Sequence, residues 1–265
     1  MEFRGKNVVV TGASSGIGRE VAILFAQKGA NVAVAARRLD RLQQVCAKME
    51  RHGVATLACK CDVSDKLQVS KMYEMVSDEM GPVDILVNNA GFAIYGTVSE
   101  LTIDDIESQM ATNYLGMTYC TKYFLPGMLQ RQSGHIVNVA SAAASFGLPG
   151  IASYCASKFA MLGFSEGLHH ELHGTGVGVT VVSPIMVRTD FFDHQSFTGM
   201  PKYSPFSLSA NTVASAILRA AGSPRLEIMV PQIVRGAVWC KHTFPFIVNP
   251  AMGSAFQKKL NATRE

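Results

Sequence analysis

Tyr154 and Lys158 stand four residues apart in Ser153-Tyr154-Cys155-Ala156-Ser157-Lys158, at the start of an apolar stretch with helical spacing. An i, i+4 pair shares one helical face. A phenol is a poor acid or base near neutrality, its ordinary pKa being about 10. A cation held beside it favours the phenolate and draws that pKa toward a useful range. The pair therefore suits proton transfer, with Tyr154 exchanging the proton and Lys158 tuning it. Taken alone, Tyr-x-x-x-Lys also describes two surface side chains on an ordinary helix, so the rest of the chain decides.

A second group suits a phosphate. Residues 7–11 read as a short buried strand and 17–28 as a helix, and between them lie Gly12, Gly16 and Gly18, with Ser14, Ser15 and Ile17 in the same turn. The spacing is G-x-x-x-G-x-G, which differs from the commoner dinucleotide fingerprint but works the same way. Glycine lets the backbone turn tightly and approach a pyrophosphate, whose charge meets the helix N-terminus. The alternative is a plain strand-to-helix turn. A second strand, 31–36, ends at Ala36 and runs into Arg37-Arg38. An acidic residue here would bind ribose hydroxyls, whereas an arginine accommodates a 2′-phosphate, so Arg37 and Arg38 point to NADP.

These groups need elements to hold them at one edge. Helix 40–52, strand 54–60, helix 65–80 and strand 83–88 continue the alternation, which predicts a parallel sheet with helices on both faces. Asp62 and Val63 follow the third strand, and Asn88-Asn89-Ala90-Gly91 ends the fourth, where small residues leave room for a ribose. Residues 102–131 read as one long helix capped by Thr102 and kinked or broken at Pro126. Asn113 lies in its middle, either a satisfied core amide or a site group. Strand 135–140 delivers Ser141 at its carboxyl end, where open parallel sheets carry ligands. Helix 154–172, strand 177–183, helix 210–221 and strand 226–230 complete the series, with Thr189 in a loop after 183. Residues 190–206 hold five aromatics without clean periodicity and read as a mobile lid over an apolar pocket, or as a loop packed by its own aromatics.

Composition bounds the alternatives. The 265 residues, 48% hydrophobic and 17% charged, suit one large α/β domain and exclude a disordered chain. A dispersed net charge of +4 lacks the clustering of a nucleic-acid surface. Six scattered cysteines give neither a zinc site nor a disulfide framework, and Cys59 and Cys61 alternate along a strand. The stretch Met1–Lys6 has no apolar signal segment, which points to a cytoplasmic compartment. Residues 232–265 differ from the 1–231 catalytic domain: apolar and basic residues mix there with Pro245 and Pro250. Packing against a partner subunit is the first reading of this tail, and shallow membrane association the second.

In combination, Thr11-Gly12-Ala13-Ser14-Ser15-Gly16-Ile17-Gly18, Asn88-Asn89-Ala90-Gly91, Asn113, Ser141 and Tyr154-x-x-x-Lys158 resemble the short-chain dehydrogenase/reductase family, over roughly residues 5–231. The resemblance implies a single-domain Rossmann fold with a seven-stranded parallel sheet. It implies Tyr154 as general acid/base, Ser141 holding the substrate oxygen, and Lys158 binding the nicotinamide ribose and lowering the pKa of Tyr154. Asn113 would help hold a water that links Lys158 to solvent, and Thr189 would meet the carboxamide. The implied activity is NADP(H)-dependent interconversion of a small-molecule carbonyl and an alcohol, without a metal, in a homodimer or homotetramer built on helices 102–131 and 154–172. A 3-oxoacyl-thioester reductase would share every residue named, and a non-catalytic NADP-binding sensor would lack one of them. Two positions depart from the family: Pro184-Ile185 replaces a common Pro-Gly, and Ser15 stands where many NADP-using relatives carry a basic residue.

Overall fold

The valines of β1 (Asn7–Thr11) divide between two cores: Val8 and Val10 point to one side of the sheet and Val9 to the other, all buried. A strand covered on both faces reads as an unbroken apolar run, the pattern of a parallel sheet between helical layers. The computed structural model describes residues 3–198, 203–223 and 225–262. After β1 come β2 (Asn31–Ala36), β3 (Thr56–Lys60), β4 (Ile85–Asn88), β5 (Gly134–Val139) and β6 (Val177–Pro184). Then β7 (Val187–Arg188) and β8 (Leu208–Ser209) form a small parallel pair of their own, and β9 (Glu227–Val230) returns to the main sheet. The seven strands run in the order β3-β2-β1-β4-β5-β6-β9, all parallel, with Val8 opposite both Val32 and Ile85. The chain steps outward from β1 to β3 and then restarts at β4. That reversal opens a crevice beyond the carboxyl ends of β1 and β4, the usual ligand position in such sheets.

The connections are α1 (Gly16–Gln27), α2 (Leu39–Met49), α3 (Lys66–Met80), α4 (Ile103–Met110), α5 (Gly116–Gln130), α6 (Ala152–Glu171) and α7 (Ala210–Gly222). Phe25 of α1, Leu42 of α2 and Ile217 of α7 pack with Val8, Val10 and Val34 on one face. Met72 of α3, Phe124 of α5 and Leu168 of α6 pack with Val9, Leu86 and Ile136 on the other. Each such side chain, fully buried, contributes about 1.5–3 kcal/mol, so the sheet holds its shape without help from the site. Cys59 and Cys61 both enter the second core, and burial pushes their thiols up to about 12. All six cysteines are free thiols.

Most predicted elements lie within two residues of their expected bounds. The exceptions have physical causes. The predicted helix 102–131 is interrupted at Ala111–Leu115 by a π turn, and Pro126 lies inside α5 without breaking it. Asn113 explains the position: its side chain is fully buried and bonded to another segment, and the wider turn places it there. Thr102 does cap α4, in a capping box with Asp105. Helix 154–172 begins earlier, at Ala152, so Tyr154 sits within the first turn of α6. The tail, read without elements, forms α8 (Val234–Thr243) and α9 (Pro245–Ala262). Among the described residues no helix is long and apolar enough to cross a membrane.

Candidate active site

The glycine turn is locked to the end of β4. The Thr11 hydroxyl accepts the backbone N–H groups of Asn89 (3.0 Å) and Ala90 (3.1 Å), and the Asn89 amide donates to the carbonyls of Thr11 (3.0 Å) and Gly12 (3.3 Å). Two glycines are required by closeness. A Cβ on Gly12 would meet Ala90 Cα at 2.7 Å, and one on Gly18 would meet Asn89 Nδ2 at 2.5 Å and the Gly12 carbonyl oxygen at 2.6 Å. Gly16 faces the Thr189 side chain, with 3.1 Å between a notional Cβ and Thr189 Cγ2. Ile17 tucks against the adjoining core. Ser15 occupies the N-cap position of α1 in extended conformation, but its side chain makes no capping bond. The first-turn amides, with the positive end of the helix dipole, are thereby left to a ligand. These features fit a dinucleotide pyrophosphate.

Other predicted cofactor residues line the same edge. Arg38 Nη2 donates to the hydroxyls of Ser14 (2.9 Å) and Ser15 (3.2 Å), so its guanidinium lies across the turn, whereas Arg37 is simply exposed. The Asp62 carboxylate accepts from the Ser64 hydroxyl at 2.7 Å and the Ser64 N–H at 3.0 Å. Val63 is buried against Gly116, where an added Cβ would meet its Cγ2 at 2.7 Å. The Thr189 hydroxyl accepts the Phe191 N–H at 3.3 Å, and its carbonyl accepts the Tyr203 hydroxyl at 2.8 Å. Ile185 donates its N–H to the Val230 carbonyl at 3.0 Å, which ties the Pro184-Ile185 departure to β9.

Ser141, Tyr154, Lys158 and Asn113 converge beyond β5. Ser141 caps a short 3-10 turn, accepting the Ala143 N–H at 3.1 Å, and its hydroxyl lies toward the Tyr154 phenol and favours the ionised form. Lys158 Nζ lies 5.7 Å from the centre of the Tyr154 ring and donates to the Val139 carbonyl at 3.0 Å. The Asn113 amide bonds both backbone groups of Phe92 at 2.9 Å and donates to the Ser157 hydroxyl at 2.9 Å; Ser157 in turn donates to the Tyr154 carbonyl at 2.7 Å. Gly91 fits between them, since a Cβ there would stand 3.0 Å from Asn113 Oδ1 and 3.4 Å from Lys158 Nζ. Where the i, i+4 spacing predicts a lowered phenol pKa, burial dominates and pushes Tyr154 up to about 12, partly opposed by the Ser141 hydroxyl. Burial likewise pushes Lys158 down to about 7. Desolvation acts on both groups, a cause that the spacing alone does not carry.

A roof of aromatics covers this group. Phe191 meets the Tyr154 ring edge-on at 5.6 Å between centroids, and Phe197 pairs with Tyr95 at 5.9 Å. Phe191, Phe192 and Phe197 also pack on one another, so the 190–206 segment is both self-packed and a cover over the phenol. Residues 199–202 of that segment lie outside the described residues. Sequence reasoning passed over three contributors: Thr11 as the staple of the turn, Ser157 as the link between Asn113 and α6, and Tyr95 as a wall. Ser157 carried a usable signal, standing three residues after Tyr154 on the same helical face.

Fold and site together define a Rossmann-type oxidoreductase that binds a nicotinamide dinucleotide. The chain belongs to the short chain dehydrogenase family, which matches residues 6–197. It is similar to the ketoacyl reductase HetN of a Nostoc species, 34% identical over 228 residues, covering 86% of this chain and 79% of the relative. It is also similar to the 3-ketodihydrosphingosine reductase of Bos taurus, 37% identical over 199 residues, covering 73% of this chain and 60% of the relative. Among solved structures, a short chain dehydrogenase/reductase from Burkholderia phymatum in complex with NAD matches with a TM-score of 0.84 at 27% identity, covering 93% of this chain and 96% of that one. A short-chain dehydrogenase from Sphingobium yanoikuyae in complex with NADPH matches with a TM-score of 0.80 at 28% identity, covering 97% and 95%.

Proposed function

We propose that the protein interconverts a carbonyl and a secondary or primary alcohol on an apolar substrate, using NADP(H), with Tyr154 as the general acid/base. The observation that carries this is the buried Tyr154 phenol, flanked by Ser141 and Lys158 and roofed by Phe191. The nicotinamide, when bound, supplies or accepts the hydride. The turn from Gly12 to Gly18, with Asp62, Val63, Asn89, Ala90, Gly91, Lys158 and Thr189, would hold the cofactor. Ser141 orients the carbonyl oxygen toward the phenol. In reduction the Tyr154 O–H bond breaks as a new O–H bond forms on the substrate oxygen, leaving a phenolate that the Lys158 ammonium stabilises. A phenol raised to about 12 holds its proton at neutral pH until the substrate oxygen takes it. Asn113 acts by position: it holds Phe92 and Ser157, and through Ser157 the first turn of α6.

For NADP over NAD the supporting feature is Arg38, spread over the Ser14 and Ser15 hydroxyls after a strand that ends in Ala36 rather than an acid. Comparing kcat/KM with NADPH and NADH tests it: NADPH is favoured, and Arg38→Ala removes most of that preference. A parent enzyme that prefers NADH would overturn the cofactor assignment. Tyr154→Phe keeps NADPH binding and loses roughly 10²–10⁴ in turnover; full turnover would sink the mechanism. A 3-oxoacyl thioester is the second substrate reading, favoured by the ketoacyl reductase relative; acyl-thioester assays decide it. A non-catalytic sensor is disfavoured because the four site residues assemble completely. A homodimer or homotetramer through the exposed Leu115, Leu129 and Phe159 is the assembly proposed, and light scattering measures it.

A further inference from the structure

The tail beyond β9 presents a surface that neither fold nor site accounts for. No residue of α8 is buried. Ile233 is 83% exposed, Trp239 61%, Phe246 74% and Ile247 60%, so large apolar side chains face outward in close succession. Clustered exposed apolar groups mark an interaction site, whereas single ones need no explanation. The charge pattern is equally one-sided: between Glu227 and Glu265 there is no carboxylate, but there are Arg235, Lys241, Lys258, Lys259 and Arg264. Elsewhere the chain mixes both signs. The tail is also tied to the active-site flank. Lys241 donates to the Ser145 carbonyl, four residues past Ser141, and its ammonium sits 5.4 Å from the Phe146 ring and 5.5 Å from the Phe159 ring.

We infer that α8 and α9 dock the protein on an anionic lipid surface, beside the loop that carries Ser141. Exposed Trp and Phe with interspersed cations is the pattern of a segment lying in a membrane interface. A second copy of the chain suits this face less well: a two-fold contact sets a surface against itself, and residues 228–264 offer no carboxylate to pair Arg235 and Lys241 across it. Resting on the functional reading above, the consequence for catalysis is that an apolar ketone dissolved in the bilayer is the natural substrate class, reaching the site along the tail.

Trp239 is the only tryptophan in the chain and reports its own environment. Full-length protein is mixed with vesicles of phosphatidylcholine alone or of phosphatidylcholine with phosphatidylglycerol, and both Trp239 emission and co-sedimentation are followed. Anionic vesicles give a blue shift and sedimentation that added salt reverses; neutral vesicles give little of either. Arg235→Ala weakens partitioning about fivefold, the effect of removing one cation near such a surface. Phe246→Ala weakens it as well and, being exposed, leaves the fold intact. Turnover of a short water-soluble ketone stays unchanged in both variants, while turnover of a vesicle-dissolved ketone falls. Absence of binding to anionic vesicles would overturn the proposal, and so would a Phe246→Ala variant that turns a dimer into a monomer without affecting sedimentation. If the parent binds vesicles yet reduces neither ketone, the functional reading fails and the docking surface stands.

Discussion

Lys158 is 3% exposed, and its pKa is pushed from 10.5 to about 7 by burial. A pKa change of one unit corresponds to about 1.4 kcal/mol, so carrying this amine into the interior costs on the order of 5 kcal/mol at neutral pH. The sign follows from proton counts. Below pH 7 both states hold the proton and the cost is full. Between 7 and 10.5 the unfolded chain binds a proton that the folded chain lacks, so stability climbs with pH, and above 10.5 the difference is gone. Lys158→Met keeps an unbranched stem beside Met161 and removes the charge, but it takes a donor from the Val139 carbonyl, at a cost of about 1–3 kcal/mol. The variant is therefore expected to be more stable than the parent by about 2–4 kcal/mol at pH 7, with the gap closing as the pH rises. Urea unfolding without cofactor between about pH 6 and pH 9.5 measures it, staying below the range where ionisation of Tyr154 in the unfolded chain begins to favour unfolding. Equal pH slopes for the two proteins, or a less stable variant at pH 7, would refute the reasoning. Turnover should vanish in the same variant, so a site residue would be seen to lower stability in exchange for function.

Gly18→Ala drives a methyl into Asn89 Nδ2 and the Gly12 carbonyl; it should lose roughly 1–3 kcal/mol of stability and most NADPH affinity, both readable by thermal shift with and without cofactor. Asn113→Leu leaves the Phe92 N–H and carbonyl without partners and takes one donor from the Ser157 hydroxyl, and urea unfolding should report a loss of about 3–5 kcal/mol; under about 1 kcal/mol would show that the amide is not holding these segments. Burial pushes His135, whose ring bonds the Thr180 hydroxyl, from 6.5 to about 4. The unfolded chain gains a proton first on acidification, so stability falls as pH drops from 6.5 to 4. His135→Asn should flatten that limb of the stability–pH curve by about 1.4 kcal/mol per pH unit.

The sheet was legible because its central strands are buried on both faces, so runs such as Val8-Val9-Val10 and Ile85-Leu86-Val87 announce themselves without reference to partners. The glycine turn and the Tyr154–Lys158 pair were legible because their spacing is itself the geometry. What sequence could not carry was anything decided by distant segments. Asn113 sets the break in the long helix through Phe92 and Ser157, 21 and 44 residues away, while Pro126, the conspicuous local signal, is tolerated near the end of α5. Of the arginine pair, only the folded turn distinguishes Arg38, which reaches Ser14, from Arg37, which does not. The pKa of Tyr154 turned on desolvation, a property of everything packed around the ring, and not on the residue four places along the helix.

The π turn at Ala111–Leu115 has a bearing on how this region tolerates change in length. A π turn accommodates about one residue more than the α turn it replaces, so the angular phase of α4 is decoupled from that of α5. α4 packs on α6 while α5 packs on α3, and each chooses its buried stripe independently. Removing one residue here would restore a continuous α-helix and keep its backbone bonds, yet it would rotate one half by about 100° relative to the other, since an α-helix turns once in 3.6 residues. Either the contact with α6 or the contact with α3 would then be out of register. A single extra residue thus lets one helix serve two neighbours, and a deletion within the segment should harm packing more than one in an exposed loop.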